Sequence, residues 1–181
     1  INDRYCINGI GVGLDIYFMK LASKISMLSG WLINNNRFLK FWQFCQALLH
    51  KSHDDIAIRV NGYETIRKPI SGLFLANTKS YHFGFTTSND AEIDSGLIHL
   101  LLIGEMPTYL LYYYYGLCIW RNMDMNLSEV SSELVTLRRC LDIEITSEQP
   151  IKVSLDSADY MVANDFHVQI VPAAIRMLLP Y

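Results

Sequence analysis

The sequence predicts a mainly β fold with inserted helices, an α+β chain whose strands form a sandwich or a curled sheet. Three observations predict it. Apolar and polar residues alternate with period two at Ile56, Ile58 and Val60, and again from Leu134 through Ile145. The apolar run Leu97–Ile103 has the length and composition of a strand buried on both faces. The closing stretch, Ile151 to Pro180, reads as three short strands, Ile151–Leu155, His167–Val171 and Ile175–Leu179. A polar interruption carrying Asp156, Asp159 and Asp165 parts the first two, and the small-residue corner Pro172-Ala173-Ala174 parts the last two.

The totals bound what such a domain can do. With 181 residues, 51% hydrophobic and 18% charged, the chain has the material for one well-packed domain, or one large domain with a helical insert. A net charge of -3 and the absence of any Lys/Arg run argue against a nucleic-acid partner. Cys6, Cys45, Cys118 and Cys140 are widely spaced with no CxxC pair, which points to reduced thiols and a cytoplasmic setting. The chain opens without an initiator Met, a signal peptide or a transit peptide, and is expected to be a piece of something longer.

Taken in order, Tyr5–Ile10 is expected as a short strand that runs into GIGVGLD, Gly9 to Asp15. This is not a dinucleotide fingerprint, because Leu14 stands where a third glycine belongs and no acid follows about 20 residues on. Gly9 and Gly11 instead suit close backbone packing or a bulge where a strand meets a helix. From Asp15, Ile16, Met19, Leu21, Ile25 and Leu28 recur at helical spacing, and Gly30 stops the pattern. Phe38, Phe41, Trp42, Cys45, Leu48 and Leu49 form the apolar stripe of a second helix, expected to face the core. His50 and His53, at its polar end, lack a third ligand and are expected in solvent rather than on a metal.

Asn61-Gly62 after the alternating run is a strong hairpin signal. Further strands are expected at Ile70–Asn77 and Tyr81–Phe85, and His99 is expected as a core histidine. Pro107 opens a helical stretch, Thr108 to Trp120, that is too short for the roughly 20 apolar residues of a membrane span. Its four tyrosines, Tyr112–Tyr115, offer amphipathic rings to the core and to a membrane interface. Asn126–Ser132 reads as a polar linker, after which Leu141, Ile143 and Ile145 share one face and Asp142 and Glu144 the other.

Four stretches, in this order, resemble the C-terminal domain of the diacylglycerol kinase and sphingosine kinase superfamily of lipid kinases. NGIGVGLDIYF is similar to the family's opening glycine stretch, with Gly13 and Asp15 matching. NDAEIDSGL, Asn89–Leu97, resembles its P-x-A-x-x-x-D-G-x segment; Ala91 and Gly96 match, while Asn89 replaces the proline and Ser95 the aspartate. VSLDSA, Val153 to Ala158, resembles the strand that ends in Asp-Gly-Glu, with Asp156 matching and Ser157 and Ala158 departing. VPAAIRMLLP, Val171 to Pro180, is similar to the family's ending nearly throughout.

The resemblance implies a β-sandwich second domain packed against an upstream nucleotide-binding domain that grips ATP. It implies a lipid substrate whose hydroxyl receives the phosphate, with Asp156 as the base that takes the hydroxyl proton. Acids of the second motif serve a structural Mg²⁺ site in the family; here Ser95 stands in place of its aspartate, and Asp94 or Asp90 is the carboxylate expected to compensate. Asp159 is the substitute available for the glutamate replaced by Ala158. The other function the sequence allows is a non-catalytic homologue that binds lipid or a protein partner.

Overall fold

The computed structural model describes residues 1–17, 42, 45–46, 54–81, 85–86, 92, 94–113, 125–126, 134–156, 159–172 and 174. Its main element is a seven-stranded antiparallel sheet. The strands are β1 (Gly9–Gly13), β2 (Asp54–Val60), β3 (Glu64–Ala76), β6 (Ile98–Gly104), β8 (Val135–Cys140), β9 (Asp142–Leu155) and β10 (Asp159–Gln169). A small second sheet joins β4 (Ser80–Tyr81), β5 (Phe85–Thr86) and β7 (Met125–Asn126).

The pairing register shows how seven strands fill six places. Along β3, residues 64–70 pair with β2 and residues 72–76 with β1. Along β9, residues 143–147 pair with β2 and residues 153–155 with β1. Thus β1 and β2 lie end to end on one line between two long parallel strands. The chain leaves that line at Gly13, opposite Gly72, and rejoins it at Asp54, opposite Ile70. β6 and β8 extend the sheet beyond β3, and β10 extends it beyond β9.

The sheet curls into a sandwich around one apolar core. Ile10, Val12, Ile58, Leu73, Leu100, Ile143, Val153 and Phe166 are all buried there. Alternation fixes which residues point inward: in β9, Ile143 and Ile145 are buried while Glu144 between them is half-exposed. β6 and the second half of β3 are buried on both faces, as the unbroken run LIHLLLI predicts. His99, within that run, is 2% exposed. Where β8 faces the first half of β3 without pairing, side chains bridge the gap: Lys68 donates to Thr136 at 3.1 Å and Arg138 reaches Glu64 at 3.3 Å.

The Asn61-Gly62 hairpin forms as expected. Both residues have positive φ, 49° and 74°, and the Tyr63 N–H donates to the Val60 carbonyl. Asn61 suits this conformation because its short side chain tolerates the left-handed region, and its Oδ1 also accepts from the N–H groups of Leu141 and Asp142. Pro107 opens a helical stretch at 108–113, where the N–H groups of Leu110 and Leu111 donate to its carbonyl. Residues 14–17 are helical, as are 42 and 45–46, in agreement with the two early helices.

Several expectations need correction. Residues 5–8 are not strand, and β1 starts at Gly9, because that preceding segment bonds to loop and turn atoms instead. Ile151–Leu155 is the end of β9, and the presumed polar interruption after it is mostly β10. The first half of β10 buries no side chain fully; Met161 and Ala163 are buried in part against the core, too weak a pattern to mark the strand, which pairing with β9 defines. β10 also ends at Gln169, short of Val171. Leu141 is not on the inner face of a continuous strand, but 53% exposed at the corner between β8 and β9. Trp42 is 52% exposed rather than core. Tyr81 and Phe85 fall on separate two-residue strands that pair with each other. Ile175–Leu179, His50, His53, Tyr114, Tyr115 and residues 127–132 of the linker lie outside the described residues.

Candidate functional site

The four motif stretches come together in two pairs. β1, from the opening glycine stretch, pairs with the end of β9: Ile10 opposite Leu155, Gly11 opposite Ser154, Val12 opposite Val153. Gly96, from the second motif, lies against Pro172 of the closing one, where an added Cβ would stand 3.7 Å from the proline ring. An open cleft of about 1110 Å³ runs between these places, lined among others by Tyr5, Asn8, Asp94, Ile98 and Ile170.

Asp156 follows β9 directly and has a positive φ of 48°. That turn aims its carboxylate at residues 6–9. Oδ1 accepts the N–H of Asn8 at 2.7 Å, the N–H of Gly9 at 2.9 Å and the Cys6 thiol at 3.0 Å, while Oδ2 accepts the N–H of Ile7 at 2.8 Å. Its own N–H donates to the Gly9 carbonyl at 2.9 Å. Burial alone would raise the pKa of Asp156. The amides of Ile7 and Gly9, the Cys6 thiol and the Asn8 amide outweigh that and keep the carboxyl below its ordinary value. Burial, then the adjacent carboxylate, pushes the Cys6 thiol up to about 12, so this sulfur is a donor and not a nucleophile.

The other acids of the closing stretch receive the first residues of the chain as well. Arg4 makes an exposed 2.6 Å ion pair with Asp159, which therefore serves Arg4 rather than standing beside Asp156 as a second carboxylate. Asn2 exchanges hydrogen bonds with the backbone of His167, at 2.8 and 2.9 Å, and its side chain donates to the Asp165 carbonyl. On the opposite flank, the Asn77 N–H donates to the Asn8 carbonyl and the Thr78 hydroxyl to the Asn8 side chain. Residues 2–8 are thus laced between the ends of β3, β9 and β10. Ile7, Asn8 and Gly9 line the cleft while their amides hold Asp156, which is not itself among the lining residues.

A second carboxylate, Asp15, is fully buried at the start of helix 14–17. The Ser154 hydroxyl donates to it and also lies 3.2 Å from the Gly11 carbonyl. Gly11 leaves the room: a Cβ there would collide with the Asp15 carboxylate. This is the close packing the glycine spacing predicts. Ser154 was not singled out by sequence reasoning: it alternates with the core residues Val153 and Leu155, so it lies on the other face of β9, buried there opposite Gly11, and no local pattern announces that.

Asp94 lies exposed at the turn before Gly96 and lines the cleft. Asp90 is outside the described residues. Ser95, in the place of the family aspartate, has its hydroxyl oxygen on the N–H of Leu97. Among the described residues, the acids of this turn do not gather into a group of three metal donors.

Among the described residues, no helix is long and apolar enough to cross a membrane. On helix 108–113, Tyr109 is 69% and Tyr113 59% exposed, while the Tyr112 hydroxyl donates to the Cys45 carbonyl.

The fold is similar to that of solved structures. A provisionally assigned diacylglycerol kinase from Bacillus anthracis str. Sterne matches with a TM-score of 0.63 at 12% identity, over 94% of this chain and 52% of that one. A second structure carrying the same assignment, from the same strain, matches with a TM-score of 0.60 at 13% identity, over 94% and 50%. A structure of a diacylglycerol kinase from this strain matches with a TM-score of 0.55 at 14% identity, over 96% and 53%. The chain spans about half the length of the structures it matches. No family model matches the chain, and no curated protein matches it in sequence. At these identities the likeness is one of fold, the mainly β sandwich that the motif order implied.

Proposed function

We propose that this chain is the lipid-substrate half of a diacylglycerol kinase-like enzyme that transfers phosphate to a lipid hydroxyl. One observation carries the reading: four motif stretches, far apart in sequence, pair with one another in a sandwich that shares its fold with half of proteins named as diacylglycerol kinases. In this reading ATP and Mg²⁺ bind chiefly on a nucleotide-binding domain that is the partner of this one. The setting is cytoplasmic, and the exposed rings of Tyr109 and Tyr113 make peripheral contact with the membrane that supplies the lipid.

Asp156 is the carboxylate assigned to the reaction. Its two oxygens are unequal: among the described residues Oδ1 takes three donors and fixes the group, whereas Oδ2 takes only the Ile7 amide, which leaves a lone pair for a substrate hydroxyl. A carboxylate with a lowered pKa is a weak base, so its part is to orient the hydroxyl and accept the proton late. A loose phosphoryl-transfer transition state asks no more than that.

A second reading is favoured by the same cage: a carboxylate occupied by four donors suits a structural clasp, and the chain would then bind lipid or a protein partner without transferring phosphate. The test is phosphate transfer by the full-length protein on a panel of lipids, wild type against Asp156→Asn. Loss of turnover by orders of magnitude in a folded variant supports the kinase reading. Unchanged turnover removes Asp156 from the reaction, and a folded wild type that is inactive on every lipid favours the binding module.

A further inference from the structure

The outer face of the β9–β10 hairpin carries a group of side chains that the lipid reading does not use. Asp142 and Glu144 alternate with the buried Ile143 and Ile145, and His167 stands between the buried Phe166 and Val168, so all three project from the side away from the core. The register places His167 directly opposite Glu144, one pleat from Asp142. One donor atom from each residue lies within 4.8 Å of the other two. His167 Nε2 is 2.5 Å from Asp142 Oδ2, and on its far side Glu144 Oε2 meets Arg59 at 3.0 Å.

We infer that Asp142, Glu144 and His167 form a binding site for a divalent transition-metal ion of the zinc type. The donor set selects the ion. One imidazole with two carboxylates suits Zn²⁺, Co²⁺ or Ni²⁺, whereas Mg²⁺ and Ca²⁺ take oxygen ligands throughout. Zinc–donor bonds of about 2.0–2.2 Å set tetrahedral donors roughly 3.3 Å apart. The pair of His167 and Asp142 therefore opens by less than about 1 Å to admit the ion, a small rotation for half-exposed side chains.

The frame behind the donors is fixed. The backbone of His167 bonds to Asn2 in both directions, and the backbone of Asp142 bonds to Asn61 in both directions. Arg59 occupies only Oε2 of Glu144, which leaves Oε1 for the metal and makes the guanidinium an orienting partner of the ligand. Two carboxylates against one arginine, with His167 neutral as a ligand requires, leave a negative site for the cation. Three protein donors leave coordination open to water. Bound metal would fasten β9 to β10 at the place where Asn2 bonds to His167.

The test is calorimetric titration of the metal-stripped full-length protein with ZnCl₂ near neutral pH, beside MgCl₂. His167→Gln and Glu144→Gln are titrated in parallel; both lie on the outer face and leave the core intact. Expected are saturable zinc binding, no magnesium binding at this site, and a loss of zinc affinity of at least about tenfold in each variant. Because cysteines and other histidines also take zinc, the difference between variant and wild type is the deciding quantity. Zinc binding that is unchanged in His167→Gln, or absent in the wild type up to millimolar ZnCl₂, overturns the site. The outcome is independent of whether lipid is phosphorylated.

Discussion

Asparagine in place of Asp156 tests the cage without disturbing its backbone, since asparagine accepts the same left-handed φ. The substitution removes the negative charge and replaces one acceptor oxygen by an NH₂ donor. With the amide oxygen in the place of Oδ1, the bonds from Asn8, Gly9 and Cys6 survive as weaker neutral ones, and the NH₂ group faces the Ile7 N–H donor to donor. A lost charge-assisted bond plus an unsatisfied donor in a half-exposed site comes to about 2 kcal/mol. For a chain of this size that lowers the melting temperature by about 4–8 °C. The pH dependence follows from the lowered pKa. The folded value lies below the unfolded one, so the carboxylate's contribution is complete above the unfolded value, about 3.9, and is lost as pH falls through the folded value. Thermal melts of wild type and Asp156→Asn should therefore differ most near neutral pH and converge in acid. A difference below about 1 °C at pH 7 would refute the claim that this carboxylate secures residues 6–9.

Two further outcomes follow from the same end of the sandwich. Gly11→Ala drives a methyl group into the buried Asp15 carboxylate and should destabilise by more than about 3 kcal/mol, read as a loss of cooperative melting or of soluble yield. Cys6 and Cys140, both with pKa raised to about 12 by burial, should resist iodoacetamide at pH 8 in the native protein and react once it is denatured; mass spectrometry of the digested protein reads both.

What could be read beforehand divides along physical lines. The Asn61-Gly62 turn and the run Leu97–Ile103 were legible because a local rule fixes each, a positive φ in one case and burial on both faces in the other. β10 was not, because from Asp159 to Ala163 only Met161 and Ala163 touch the core, and each is buried only in part, so pairing with β9 rather than a strong apolar pattern marks the strand. The tandem placement of β1 and β2 was equally hidden, since it is a property of their shared neighbours and not of either sequence. At the site, Asp156 and Asp15 were found from their motifs, and Gly11 from the glycine spacing. The groups that hold Asp156 left no trace, because backbone amides of Ile7, Asn8 and Gly9 have no residue signature. Asp142 and Glu144 were placed on the correct outer face, but their meeting with His167 depends on a register that only the hairpin supplies.

The line shared by β1 and β2 has an evolutionary consequence. Gly13 and Asp54 sit opposite Gly72 and Ile70, so between departure and return the chain skips a single position of β3, Ser71, where the pairing with β6 also shifts register. Whatever length of polypeptide joins them, both ends remain fixed to the same neighbours. Insertions or deletions between residues 18 and 53 would therefore leave both strands in register with β3 and β9, while Leu14 and Asp15 stay packed beside them.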